Sequence, residues 1–351
     1  MINLLFFLFS ILISVVGAIN TSNWLILWLW IELNSLALIP ILSINMSPRT
    51  IEATSKYFLF QAAGSVIILL GIMLRYYYSG QIATNGNYTF AETAIIILAL
   101  AIKMGIFPSH FWFIEVMNGL NFFSGFFVAI VSKIVPLYII IFMSINTNSP
   151  IVLIVSLLSI IIGSIFGIQQ TQLRKLIALS SIAHLGWMII IFNNVNTSWI
   201  GAILFIAYIV MVLPLFWIGN SFSIEYLAKS SNPGSNTSVG VILCLTILSI
   251  GGFPPLLGFF YKWIIFLNVI NTEEFLVIVI LILASLVSLF YYVQICLSIY
   301  MNSWPSIKTI SESTYIGAAG SGNIAWAIIF FNVVLYYFLW IVSPISSSWN
   351  L

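Results

Sequence analysis

Apolar runs about as long as a bilayer is thick follow one another along almost the whole chain, separated by short stretches rich in Asn, Ser, Gly and Pro. A helix crosses the hydrocarbon core with about 20 mostly apolar residues. The turn residues divide the chain into eleven such runs, at 2–19, 23–44, 54–78, 93–113, 121–143, 149–168, 173–195, 199–219, 238–268, 274–301 and 323–343. The runs are continuous and do not alternate, which argues against a β-barrel. Only 5% of the 351 residues are charged, against about 25% in a soluble domain, so the chain cannot cover its own surface in water. The expected fold is an all-α polytopic membrane protein.

Several other classes fall away on the same residues. The first run lacks a basic leader and ten more follow it, so it does not read as a signal peptide, and no Arg-rich transit segment is present. The two cysteines, Cys244 and Cys296, lie in apolar runs, which excludes a disulfide scaffold. No basic patch is large enough to hold a nucleic acid backbone. Loop charge sets the expected orientation. Arg49, Arg174, Lys175, Lys229 and Lys308 share the N-terminal side, whereas the other side offers Arg75 at a helix end with Glu92, Glu273 and Glu274. The positive-inside rule then puts the N-terminus inside and the C-terminus outside. The Gly-rich stretch within 302–322 follows no strand and carries no Lys after its glycines, so it reads as a loop and not a phosphate cradle.

A few ionisable groups remain inside the spans. They are Glu32 in span 2, Lys56 near the inner end of span 3, Lys103 and His110 in span 4, Lys133 in span 5, His184 in span 7 and Lys262 in span 9. A Lys or acid at the bilayer centre costs about 2.5–3.5 kcal/mol even on the lenient insertion scale, so these groups must pair, face the interior or meet water. Pro108 follows Lys103, Pro136 follows Lys133, and Gly251-Gly252 with Pro254-Pro255 precede Lys262. A proline withholds a donor from the carbonyl four residues earlier, and broken helices at membrane depth line cavities or are buried in protein. The expectation is a polar path near the midplane with a break beside each of three lysines. Other readings stand beside this one. Lys56 also reaches the inner interface by snorkelling, His184 reads equally as a hydrogen-bonded core histidine, and Glu115 reads as a loop or surface acid. No CxxC, Walker sequence, GxGxxG after a strand or Ser-His-acid set occurs, and every acid is a Glu. The chemistry left to the chain is proton movement among Lys, Glu and His.

Six stretches in order carry a resemblance: WLWIELNSLALIPIL around Glu32, EATSKYFLFQA around Lys56, LALAIKMGIFPSHFWFIEVMNGL around Lys103, VSKIVPL around Lys133, QTQLRKLIALSSIAHLGWM around His184, and LSIGGFPPLLGFFYKW around Lys262. The chain resembles the antiporter-like membrane subunits of NADH:ubiquinone oxidoreductase (respiratory complex I), in the animal subunit 2 family. The resemblance implies two inverted five-helix repeats, at 1–143 and 149–301, each with a broken fourth helix, and a C-terminal helix at 323–343. It implies a Glu32–Lys103 ion pair, Lys133 as central relay and Lys262 at the end of the polar axis. Lys56 and His110 match further family positions, and His184 is a secondary candidate. Two departures are Pro108-Ser109-His110, where the family has Pro-Phe-His, and Val131-Ser132, where it has Trp-Gln.

The function implied is proton translocation coupled to electron transfer from NADH to ubiquinone. FMN, iron–sulfur clusters and ubiquinone would sit in other subunits and no cofactor in this chain. The implied partners are antiporter-like subunit 4, the small subunit 4L and bilayer lipid including cardiolipin, in the mitochondrial inner membrane. Opening the Glu32–Lys103 pair would leave the ammonium without its partner and send the proton on toward Lys133. The rival reading is a sodium/proton antiporter of the related multi-subunit class, which the lack of any Asp weakens because hard cations want oxygen ligands. A second rival, a structural spacer, leaves the mid-span lysines unexplained.

Overall fold

The computed structural model describes residues 2–84, 88–146, 150–192, 198–222, 237–270 and 275–303. Among these, all regular structure is helical, apart from one isolated bridge between Asn23 and Ala83. The helices are α1 (Ile2–Asn20), α2 (Trp24–Leu42), α3 (Pro48–Ser79), α4 (Phe90–Met104), α5 (His110–Gly119), α6 (Phe122–Phe126), α7 (Ser132–Asn146), α8 (Pro150–Gly167), α9 (Leu173–Ile191), α10 (Ser198–Phe222), α11 (Thr237–Gly251), α12 (Leu257–Ile270) and α13 (Phe275–Ser303). A π-helical turn, Phe127–Val131, joins α6 to α7 without interruption. Among the described residues, seven helices are long and apolar enough to cross a membrane, and shorter apolar helices accompany them. The expected C-terminal span at 323–343, the Gly-rich stretch, Lys229, Lys308, Glu273 and Glu274 lie outside the described residues.

Local chemistry explains where the helices begin and stop. Helix α3 starts earlier than the apolar pattern alone suggests, because Ser47 accepts from the Thr50 backbone N–H and Thr50 reciprocates at the Ser47 N–H, with Pro48 in the first turn. Thr89 and Glu92 build the same capping box on α4. Expected spans 4 and 9 are each split in two, as α4 with α5 and α11 with α12. The stop is made by glycine. Gly105 and Gly252 adopt φ of 68° and 82°, the left-handed region that ends helices with little strain only for glycine. Proline alone does not break a helix here, since Pro40, Pro136 and Pro214 all lie inside continuous helices. The expected break beside Lys133 is accordingly absent; a π-helical turn precedes that lysine instead.

The two breaks share their local layout. One constant offset carries Phe90 to Thr237, Met104 to Gly251, Gly105 to Gly252, Pro108 to Pro255 and His110 to Leu257.

The chain forms two compact units. The first comprises Met1–Ile162 with Ser181–Ala202, and the second Gly163–Ser180 with Ile203–Leu351. In the first, α2 packs on α1 and α3, α4 and α5 both pack on α3, and α7 leans on α4 and α2. In the second, α11, α12 and α13 pack on one another. There Cys296 Sγ donates to the Cys244 carbonyl at 3.4 Å, and Cys244 Sγ lies 3.7 Å from the Cys296 carbonyl, both thiols remaining free. Large apolar side chains such as Phe6, Phe9, Leu59 and Phe290 point outward, as suits a chain surrounded by lipid or neighbouring subunits.

Two charges counted toward orientation, Arg75 at its helix end and Glu92, are buried. The segment after α3 folds back over the helix end. Trp24 N donates to the Ile82 carbonyl at 3.0 Å and Thr84 N to the Ser22 carbonyl at 2.9 Å. Tyr88 is thereby laid over Arg75, whose guanidinium carbon stands 3.8 Å from the ring centroid. Arg75 and Glu92 are both enclosed. Burial holds the Tyr88 phenol above its ordinary pKa, with Arg75 acting in the opposite sense.

Candidate functional site: buried lysines at two helix breaks

Lys103 occupies the last turn of α4, one residue before its end at Met104. That places an ammonium where the helix dipole is negative and favours a cation. Gly105 and Ile106 return N–H donors to the carbonyls of Ile102 and Ala101, both at 3.1 Å. Trp112 Nε1 donates to the Ile102 carbonyl at 3.0 Å, and Gln61 Nε2 to the Lys103 carbonyl at 2.9 Å. The helix end is thus satisfied by α5 and α3 together. The Lys103 side chain lies against Gly64 of α3, where an added Cβ would stand 2.7 Å from Lys103 Cγ. A glycine at that point makes room for the lysine.

Glu32 of α2 completes the pair. Its Oε2 is 3.6 Å from Lys103 Nζ, with side-chain exposures of 25% and 1% respectively. The separation is that of an ion pair without a short hydrogen bond, and neither atom hydrogen-bonds another protein group among the described residues. Such a pair is held by charge in a low-dielectric setting and separates without breaking a directional bond.

Lys133 lies in the first turn of α7 and is 0% exposed. Its Nζ donates to Ser181 Oγ of α9 at 3.2 Å and sits 4.0 Å from the ring centroid of Phe113 on α5. His184, one turn beyond Ser181, is buried in the same helix. His110 begins α5 and is also buried, its ring centroid 3.9 Å from that of Phe111.

Lys262 belongs to the second unit. It lies in α12, after its break, and is 7% exposed. Its Nζ donates to the Gly251 carbonyl at 2.8 Å and to Ser288 Oγ of α13 at 3.0 Å. The carbonyl belongs to the final residue of α11, so the terminus of one half-helix supplies an acceptor to a lysine on the other. Gly252 leaves space for this approach, since a Cβ there would be 3.2 Å from Nζ.

Lys56 does not join the other lysines. It bridges Glu52 at 2.8 Å and Glu115 at 2.7 Å, both acids being well exposed and Lys56 part-exposed. Glu115 is a surface acid as expected, but it rides α5 and ties that half-helix to α3. Sequence reasoning did not single out Glu52, Gln61, Gly64, Phe113, Ser181 or Ser288. Of these, only the Glu52–Lys56 spacing of four carried a readable signal.

Comparison with known proteins fits this geometry. Residues 21–288 match the family described as NADH:quinone oxidoreductase/Mrp antiporter, transmembrane. The NADH-ubiquinone oxidoreductase chain 2 of Sylvisorex johnstoni is 35% identical over 306 residues, 86% of this chain and 87% of that one. A chain of respiratory complex I from Thermus thermophilus superposes with a TM-score of 0.82 at 20% identity, covering 98% of this chain and 80% of that one. A chain of the Mrp complex from Dietzia superposes with a TM-score of 0.80 at 15% identity, covering 96% and 75%. At those identities the two structures establish the fold, and the curated relative establishes the branch. The chain therefore belongs to the NADH:quinone oxidoreductase/Mrp antiporter membrane family, in its NADH-ubiquinone oxidoreductase chain 2 branch.

Proposed function

We propose that the chain is a proton-translocating, antiporter-like subunit in the membrane arm of an NADH:ubiquinone reductase. The observation that carries the reading is the Glu32–Lys103 pair at the end of a broken helix, with Lys103 1% exposed and 3.6 Å from its acid. The ammonium is sustained there by that carboxylate. When the redox reaction elsewhere in the complex draws the two apart, the cation loses its support in a low-dielectric site and releases its proton. Lys133 receives it as the central relay, and Lys262 ends the polar axis. Moving one proton against 100 mV takes about 2.3 kcal/mol, which a change of under two pKa units supplies at 1.36 kcal/mol each. His110 and His184 are secondary members of the relay, and Lys56 holds the inner surface.

The chain is built from two inverted repeats at 1–143 and 149–301, a reading supported by the shared layout of the two helix breaks. The chain holds no redox cofactor itself; FMN, iron–sulfur clusters and ubiquinone belong to other subunits. Its neighbours are subunit 4 and the small subunit 4L, with cardiolipin among its lipids. It sits in the mitochondrial inner membrane with the N-terminus in the matrix and the C-terminus in the intermembrane space.

The test is Lys103→Met in the assembled complex, reconstituted in proteoliposomes, with NADH oxidation and acid release followed together. Most proton release is lost while the complex still forms. A wild-type proton-to-electron ratio would refute the reading. The Mrp likeness keeps a sodium/proton carrier as the second reading, and sodium flux without NADH in the same vesicles would favour it.

A further inference from the structure

Lys103 has a carboxylate beside it, and Lys262 has a carbonyl and a hydroxyl. Lys133 is more completely enclosed than either. Its hydrogen bond goes to a single serine hydroxyl, and among the described residues it forms no ion pair with a carboxylate. One hydroxyl is a poor substitute for the water an ammonium gives up on burial. Also against Nζ is the face of Phe113, 4.0 Å away, well within the ~6 Å over which a ring quadrupole attracts a cation.

The charged and titratable groups on the surrounding elements are few. Glu32 of α2 is engaged with Lys103 of α4, and Glu115 of α5 with Lys56. Helix α1 carries none, and on α4 Glu92 lies in the first turn, at the opposite end from Lys103. His110 precedes Phe113 by a turn on α5, and His184 follows Ser181 by a turn on α9, whose first turn also holds Arg174 and Lys175.

We propose that Phe113 is a positioning residue for proton transfer, its ring face stabilising the ammonium of Lys133 and keeping Nζ directed at Ser181. The inference rests on the relay reading above. When the neutral amine of Lys133 takes up a proton, the new ammonium forms against the ring. When the proton leaves, the amine stays beside the Ser181 hydroxyl. A carboxylate in that place would hold the proton more strongly. A ring supports the cation without fixing it as an ion pair, which suits a group that must load and unload.

The break in the fourth span makes this contact possible. Phe113 rides the second half-helix, and a Cβ at Gly105 would stand 2.5 Å from Phe113 Cβ and 2.9 Å from its Cγ. The glycine that ends the helix of Lys103 therefore also seats the ring over Lys133. One backbone element serves both lysines, since α5 carries Phe113 over Lys133 and Trp112 onto the helix end of Lys103.

The experiment compares Phe113→Leu, Phe113→Met, Phe113→Tyr and Lys133→Met in the whole complex, scoring assembly, NADH oxidation and acid release. Leu and Met remove the ring face at tolerable volume; both slow coupled proton release about tenfold, on the scale of a desolvated cation–π contact, with assembly retained. Tyr keeps the face and releases protons within about twofold of wild type. A Leu or Met variant that pumps normally overturns the proposal. So does a Tyr variant as impaired as Leu, and so does a failure of both Leu and Met to assemble, since the ring is then structural. Lys133→Met separates the two levels: if it pumps normally the relay reading itself falls, and if it does not while Leu does, only the role of Phe113 falls.

Discussion

Glu32 and Lys103 act as one group, and removing either half has a different cost from removing both. Glu32→Gln leaves an ammonium buried without its counter-charge, a change worth about 3–5 kcal/mol for a fully enclosed pair and less here because Glu32 is 25% exposed. Complex assembly is expected to fall in Glu32→Gln and to recover partly when Lys103→Met is added, while no variant pumps. Native gels and acid release measure the two quantities, and strictly additive losses would argue against direct coupling. These residues were legible in the sequence because a charge inside an apolar run is costly and so conspicuous. Their partners were not. Ser181 and Ser288 look like any serine in a membrane helix, Phe113 looks like packing, and the Gly251 carbonyl has no letter of its own. The burial of Arg75, at its helix end as expected, and of Glu92 was not legible because nothing in the sequence marks the return of the following segment over α3.

At the level of elements, glycine decides where the spans break. Gly80 and Gly105 both have positive φ, at 66° and 68°, yet their surroundings differ. An added Cβ at Gly80 meets nothing within 4 Å, whereas at Gly105 it meets Phe113 and Trp112. Gly80→Ala should cost only the backbone strain of about 1–2 kcal/mol. Gly105→Ala must displace Phe113 as well and is expected to lower assembly much further, read as the complex level and thermal midpoint of each variant. Equal effects would mean that the seat of Phe113 is not tight. The sequence marked both true breaks, since Gly and Pro occur there together. It also suggested a break at Pro136 that the continuous helix does not have. The π-helical turn before Lys133 was invisible, because a widened turn has no characteristic composition.

Across the whole molecule, the distribution of basic loop residues yields a prediction about sidedness. An epitope tag before Ile2 should be shielded in intact mitoplasts and reached only after the inner membrane is opened. A tag accessible to protease in sealed mitoplasts would reverse the assignment. The number of spans up to α13 was readable from length and hydropathy, since each apolar run nearly fills a bilayer. The division into two compact units was not, because it depends on which helices exchange neighbours and not on any one run.

Helix α3 bears on sidedness in a different way, as a ruler of electrical depth. It runs for 32 residues, about 48 Å at 1.5 Å per residue, much more than the hydrocarbon core. Its ion cluster at Lys56 and its enclosed Arg75 bracket a stretch of roughly 28 Å, close to the core thickness of about 30 Å. Taken as the edges of the insulating layer, the two charged levels give a scale of depth along the helix. Gln61 and Gly64, the α3 residues that meet Lys103, lie roughly 8 and 12 Å in from the Lys56 level. On that scale Lys103 would sit off-centre, about 0.3–0.4 of the way through the insulator. At a potential of 100 mV, a proton reaching it from the Lys56 side crosses under half of the drop, about 0.6–1 kcal/mol of the full 2.3. In the proposed relay, the larger part of the electrical work would then fall on the steps beyond Lys103.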